Sequence, residues 1–310
     1  MRIWYQYPAP VDAFRQDVVW NSVHGIADRV RRPDTVIEIV AVKRGAQIHD
    51  QLHYARRLSY AEIVDTIAGA NDGFDGAVIG VSSDAGLVEA REILNVPVVG
   101  LTEAACHFAT IWGERFGMIT NPQSGPGRIK DLHYRRDQLA RYGVLDRLVG
   151  IEPLEMPGDR FRGDLAARRH DEILTRYEAQ ARRLIEQGAD VILSGDTILS
   201  MALVEHDFFS VPGTGAVVVD LISCAVKLIE SGGHPSSFRD RPQPGRNVRR
   251  SARRVGRGGA RSLRPAVAVS SPNARHHRAR RPSGARRRHA AGHSARRDRH
   301  PGGARPVAGG

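Results

Sequence analysis

Asp196 stands at the end of the apolar run Asp190–Leu193, behind Ser194-Gly195 and directly ahead of Thr197. A carboxylate at such a strand end can take or return a proton at a carbon next to a carbonyl, once burial brings its pKa toward neutrality. Asp is also a common helix N-cap, so the same residue has a structural use. Glu103, just past Val98-Val99-Gly100, is the second acid–base candidate. An acid in the first turn of a helix is equally explained by the helix dipole. Around these two stand other strand ends: Gln6, Val81-Ser82-Ser83, Thr120-Asn121 and Thr197. Ser and Thr in turns that open helices offer hydroxyls and backbone N–H groups to a carboxylate or a developing enolate. Asp196 and Glu103 are therefore the predicted catalytic residues. Gln6, Val81, Ser82, Ser83, Thr120, Asn121 and Thr197 are the predicted substrate-binding set, and no metal-ligand spacing accompanies them.

These residues need strands that end together and helices that start there. Apolar runs at Arg2–Tyr7, Thr35–Val42, Gly76–Gly80, Pro97–Leu101, Phe116–Thr120, Leu148–Pro153 and Asp190–Leu193 read as strands. Helical periods fill the gaps at Ala13–Val30, Tyr60–Ala70, Leu87–Leu94, Glu103–Trp112, Gly127–Tyr142, Asp171–Gln187 and Val217–Ile229. In the Asp171–Gln187 run, Ile173, Leu174, Tyr177, Ala181, Leu184 and Ile185 make one apolar stripe, and Gly188 closes it. Strands that alternate with crossover helices predict parallel sheets covered on both faces. Ligands of such sheets sit beyond the carboxyl ends of the strands. The unit of strand, Ser-bearing turn and helix at Ala77–Leu94 has a counterpart in strand, Ser194–Thr197 turn and helix Ile198–His206, so two similar halves are expected.

The run Val81-Ser82-Ser83-Asp84-Ala85-Gly86-Leu87, with the helix and strand up to Gly100, resembles the Asp/Glu/hydantoin racemase superfamily, and the resemblance extends over residues 1–233. Members carry an Asp-Pro-Gly-Leu turn after the third strand; here it reads Asp84-Ala85-Gly86-Leu87. The resemblance implies an α/β fold of two pseudo-symmetric Rossmann-like half-domains with parallel sheets and a cleft between them. Residues 1–113 with 217–233 would form the first half and 114–216 the second. It also implies proton transfer without a cofactor, next to a carbonyl of a small carboxylate or hydantoin-like substrate. Two cysteines usually face each other across the substrate in this superfamily. Val81 stands where the first thiol would be and Asp196 where the second would be. The Asn-Pro-Asn turn of many members survives only as Pro8. Racemisation through two opposed thiols is thereby excluded. One-base chemistry from Asp196 remains, with a lyase, a ring-amide hydrolase or an inactive member as alternatives to a racemase.

Composition divides the chain. Residues 234–310 hold 21 Arg, no Lys, two acids and a single Leu, for a charge of +19. Residues 1–233 carry −7, which gives the overall +12. With so few large apolar groups, ordering of the tail is not offset by burial, so disorder is expected. Arg without Lys, mixed with Ala, Gly, Pro and Ser, reads as a frameshifted or non-homologous extension. A basic arm could hold nucleic acid by charge, but no aromatics are interleaved for base stacking, which argues against that partner. No apolar run is long enough for a membrane span and no signal peptide is recognisable, so a cytoplasmic protein without a membrane partner is expected. The two cysteines, Cys106 and Cys224, fit that reducing compartment and read as packed hydrophobes. A small molecule is the expected partner, and a homo-oligomer stays open.

Overall fold

The computed structural model describes residues 1–12, 15–43, 53–69, 73–122 and 125–232. The Arg-rich tail lies outside the described residues, as do residues 44–52.

Among the described residues, eight strands form two parallel four-stranded sheets. The first contains β1 (Arg2–Tyr7), β2 (Val36–Ala41), β3 (Gly76–Ile79) and β4 (Val98–Gly100), in the order β2-β1-β3-β4. The second contains β5 (Phe116–Thr120), β6 (Leu148–Pro153), β7 (Val191–Ser194) and β8 (Val217–Val219), in the order β6-β5-β7-β8. The two orders are the same once the second is counted from its own first strand. This is the α/β architecture of two similar halves that the alternating pattern predicts. Central strands β3, β5 and β7 are buried on both faces, which explains why they read as unbroken apolar runs.

The helices are α1 (Asn21–Val30), entered through a π-helical turn at Arg15–Trp20, then α2 (His53–Ala68), α3 (Leu87–Ile93), α4 (Leu101–Trp112) and α5 (Gly125–Arg141), followed by α6 (Gly158–Ala166), α7 (Asp171–Glu186), α8 (Thr197–Glu205) and α9 (Leu221–Gly232). The largest core cluster joins both sheets. It takes Ile3, Tyr5 and Val78 from one side, Phe116, Met118 and Leu193 from the other, and Leu101, Ala105, Ile222 and Ala225 from α4 and α9. A second cluster packs α7, through Ile173, Tyr177, Ala181 and Leu184, on Ile119 and Ile192. This is the stripe legible in the sequence. A third covers the outer face of the first sheet with Ile63, Ile67, Leu87 and Ala90.

One predicted element is corrected. Val217–Ile229 is not a single helix: Val217–Val219 is strand β8, paired with β7, and the helix starts only at Leu221. Three consecutive valines favour the extended chain, and Asp220 then caps α9 by accepting from Ser223 N at 2.7 Å. Helix α6 has no counterpart among the helical periods named above.

Candidate active site

Two strand-end turns meet where the sheets approach each other. The first follows β3 and runs Gly80 to Gly86. The second follows β7 and runs Ser194 to Thr197. Ser82 N donates to Thr197 Oγ1 at 3.0 Å, so the turns of the two halves are in direct contact. Val81, Ser82, Ser83 and Thr197 are all buried there. Thr120, at the end of β5, is buried as well, and Asn121 follows it at the strand end, half-buried.

Asp196 occupies the N-cap of α8. Its Oδ1 accepts from Ile198 N at 3.0 Å and Leu199 N at 2.9 Å, while its backbone is extended (φ −136°, ψ 135°). Ser194 Oγ donates to Asp196 O at 2.8 Å and tightens the turn. The side chain stays half-buried and its orientation is fixed by the helix it opens. Capping and a place at the strand end thus coexist in one residue.

Asp84 is used in the opposite way. It adopts a left-handed φ of 48°, and Gly86 follows at 78°. Its carboxylate turns away from α3, which the turn leads into, and caps α4 instead: Oδ1 accepts from Thr102 N at 3.1 Å and Oδ2 from Glu103 N at 3.0 Å. Gly100 has to be glycine because a Cβ there would collide with this carboxylate. Tyr142 Oη at 2.6 Å and Gln138 Nε2 at 3.2 Å also donate to Oδ2. Burial pushes the Asp84 carboxyl up to about 6, against the lowering effect of bonds from Tyr142, Glu103 N and Thr102 N.

Glu103 closes the first turn of α4 on itself. Its carboxylate accepts from Gly100 N at 3.4 Å and pairs with Arg91 at 2.5 Å, an ion pair on the first-half side of the site. Gln6 is fully buried at the end of β1. Its amide accepts from the Trp4 indole at 2.9 Å and donates to Tyr7 O at 3.0 Å and Val40 O at 3.1 Å. Both residues sit at strand ends, with their polar atoms engaged inside the first half.

Helix α5 supplies the residues that the sequence reading missed. It belongs to the second half by connection, yet it clamps the turn of the first. Tyr134 Oη donates to Ser83 O. The buried Arg135 donates from Nη1 to Ser82 O at 2.6 Å and from Nη2 to Ser82 Oγ at 3.2 Å. Gln138 Nε2 donates to Ser82 O at 3.0 Å, and Thr102 Oγ1 adds a third kind of donor to that carbonyl at 2.6 Å. The available signal was the spacing: Tyr134, Gln138 and Tyr142 recur every four residues, so one helix face carries polar-tipped groups toward a core.

Cys106 and Cys224 lie within α4 and α9, both buried, and burial pushes both thiols far up. Neither is at a strand end. Among the described residues no group of three His, Cys, Asp or Glu could hold a metal ion. Among them, too, no helix is long and apolar enough to cross a membrane.

The Asp/Glu/Hydantoin racemase family model matches residues 18–229. The chain belongs to that family. It is 29% identical over 213 residues to a hydantoin racemase of Pseudomonas sp. (strain NS671), a match that covers 68% of this chain and 79% of the relative. The structure of an allantoin racemase from Klebsiella pneumoniae superposes with a TM-score of 0.59 at 26% identity, over 74% of this chain and 86% of that one. An allantoin racemase from Pseudomonas fluorescens shares the fold, with a TM-score of 0.61 at 24% identity over 74% and 90% of the two chains. Racemases are isomerases, and this chain is an enzyme of that family. Its fold is the family's, and Val81 and Asp196 are residues of its two facing turns.

Proposed function

We propose that this protein moves a proton at a carbon next to a carbonyl of a small carboxylate- or hydantoin-like molecule, with Asp196 as the proton-carrying group. The observation that carries this reading is the pair of turns: a carboxylate oriented by Ile198 N and Leu199 N, one residue from the Thr197 hydroxyl that meets Ser82 N of the other half. In this scheme the Asp196 carboxylate takes the proton. The Ser82 N–H and the Thr197 hydroxyl, bonded to each other at 3.0 Å, turn to the substrate's carboxylate or enolate oxygen. Oriented donors of this kind stabilise charge as it develops. Relatives named for hydantoin and allantoin direct a substrate search to cyclic ureides first.

Val81 favours a second reading. It is aliphatic and 7% exposed, so it neither gives nor takes a proton. A single base with an inert opposite face suits decarboxylation, or ring opening by a held water, as well as it suits one-base exchange. NMR in D₂O with hydantoins, amino acids and arylmalonates separates these outcomes. Deuterium at the α-carbon means proton transfer, loss of CO₂ a lyase, and ring opening a hydrolase. If every compound is left untouched, the proposed proton transfer on these substrates is overturned.

A further inference from the structure

Arg135 is a buried cation one hydrogen bond from the contact between the two turns. Its guanidinium spans the main-chain oxygen and the hydroxyl of the same residue, Ser82, at 2.6 and 3.2 Å. It also holds Gln138 Oε1 at 3.1 Å, and Gln138 in turn reaches Ser82 O and the Asp84 carboxylate. Removing a guanidinium from water is costly unless several acceptors replace the solvent. Much of that replacement comes from Ser82. The consequence for Ser82 is chemical. A hydroxyl oxygen that accepts from a cation has its lone pairs drawn toward that cation, which makes its own proton a stronger donor. Among the described residues no group accepts that proton, and the Ser82 N–H beside it already points to the opposite turn.

We propose that Arg135 is a positioning residue that acts through Ser82: it fixes the Ser82 turn and polarises the Ser82 hydroxyl, which then donates to the anionic group of the substrate. The idea rests on the reading that the two turns hold a carboxylate. Arg135 does not touch the substrate itself. Its bond to Ser82 O holds the turn, and its bond to Ser82 Oγ reaches the substrate; the second separates it from a general stabilising role.

Malonate, a small dicarboxylate, serves as the probe. Its binding to the full chain is measured by calorimetry for the wild type, Ser82→Ala, Arg135→Met and the double variant, with circular dichroism to confirm folding. Wild type is expected to bind, and each single change is expected to weaken binding roughly tenfold or more, the scale of a hydrogen bond to a charged group. The double variant should bind far better than the product of the two single losses predicts, because the hydroxyl path is shared and only the Arg135 bond to Ser82 O is left to lose. Losses that multiply, or a wild type that does not bind malonate, overturn the proposal. If Arg135→Met does not fold, Arg135→Lys keeps the charge and loses the planar fork. It should weaken malonate more in the wild-type background than in Ser82→Ala; equal losses in both backgrounds overturn the idea. The D₂O screen is read separately. Coupled malonate binding without any turnover would sink the proton-transfer reading and leave the anion site standing. Turnover with uncoupled binding would do the reverse.

Discussion

The turn after β3 and the turn after β7 start from the same plan, a buried parallel strand running into a polar bend and a helix, and each bend contains one aspartate. Asp84 has been drawn inward. It caps a neighbouring helix, takes bonds from α4 and α5, and is 6% exposed. Asp196 caps the helix that it opens and keeps a half-buried place at the strand end. The difference shows how a carboxylate is divided between structure and chemistry. Four donors, two from the backbone and two from side chains, fix Asp84 as a joint between elements. Two N–H groups on one oxygen orient Asp196, which stays half-buried at the strand end.

The largest expected effect separates the two. Asp196→Asn keeps an N-cap acceptor but loses the base, so turnover on a substrate found by the D₂O screen should fall roughly 10²–10⁴-fold. The melting temperature should move little, because Asn caps about as well as Asp. An active Asp196→Asn would erase the contrast between the turns.

Asp84→Asn is expected to do the opposite: it costs stability, on the order of 2–3 kcal/mol, because an amide NH₂ would face donors where an acceptor stood. Equilibrium denaturation measures this. The pH dependence sharpens the point. The folded carboxyl sits at about 6, above its ordinary 3.8, so the native state holds the proton more tightly than the unfolded chain does. The stability that this adds is full below about 3.8 and is lost as pH rises through about 6. Wild-type stability should carry that falling component between these values, and Asp84→Asn should lack it.

The thiols give a smaller effect. Changing Cys106 and Cys224 together to Ala should leave turnover nearly unchanged and cost on the order of 1–2 kcal/mol for lost packing. A dead double variant beside an active Asp196→Asn would move the chemistry off both turns. The smallest effect belongs to the tail. With one Leu and no Ile in residues 234–310, a chain ending at residue 233 should melt together with the full-length protein. A drop of many degrees would show that the tail contributes packing.

The alternating pattern of strands and helices, the apolar stripe of α7 and the strand ends that carry Ser82, Thr120 and Asp196 were all fixed by local sequence. Periodicity and capping are properties of neighbouring residues, so they can be read without a fold. Even the Asp84 turn was visible, through its likeness to the Asp-Pro-Gly-Leu turn of the family; the left-handed φ of 78° at Gly86 was seen only in the structure. Where the Asp84 side chain goes was not visible, and neither was the reach of α5 across to the other half. Arg135, Gln138 and Tyr142 meet Ser82 and Asp84 across more than 50 positions of chain. Strand β8 was hidden for a related reason: three valines of a run that continues into a helix become a strand only because β7 offers a free edge at Val191–Leu193. The sequence determined which groups stand at the ends of the strands. Only the tertiary structure decided which of them are spent on holding the two sheets together, because that depends on which donors the packing brings within about 3 Å, the reach of a hydrogen bond.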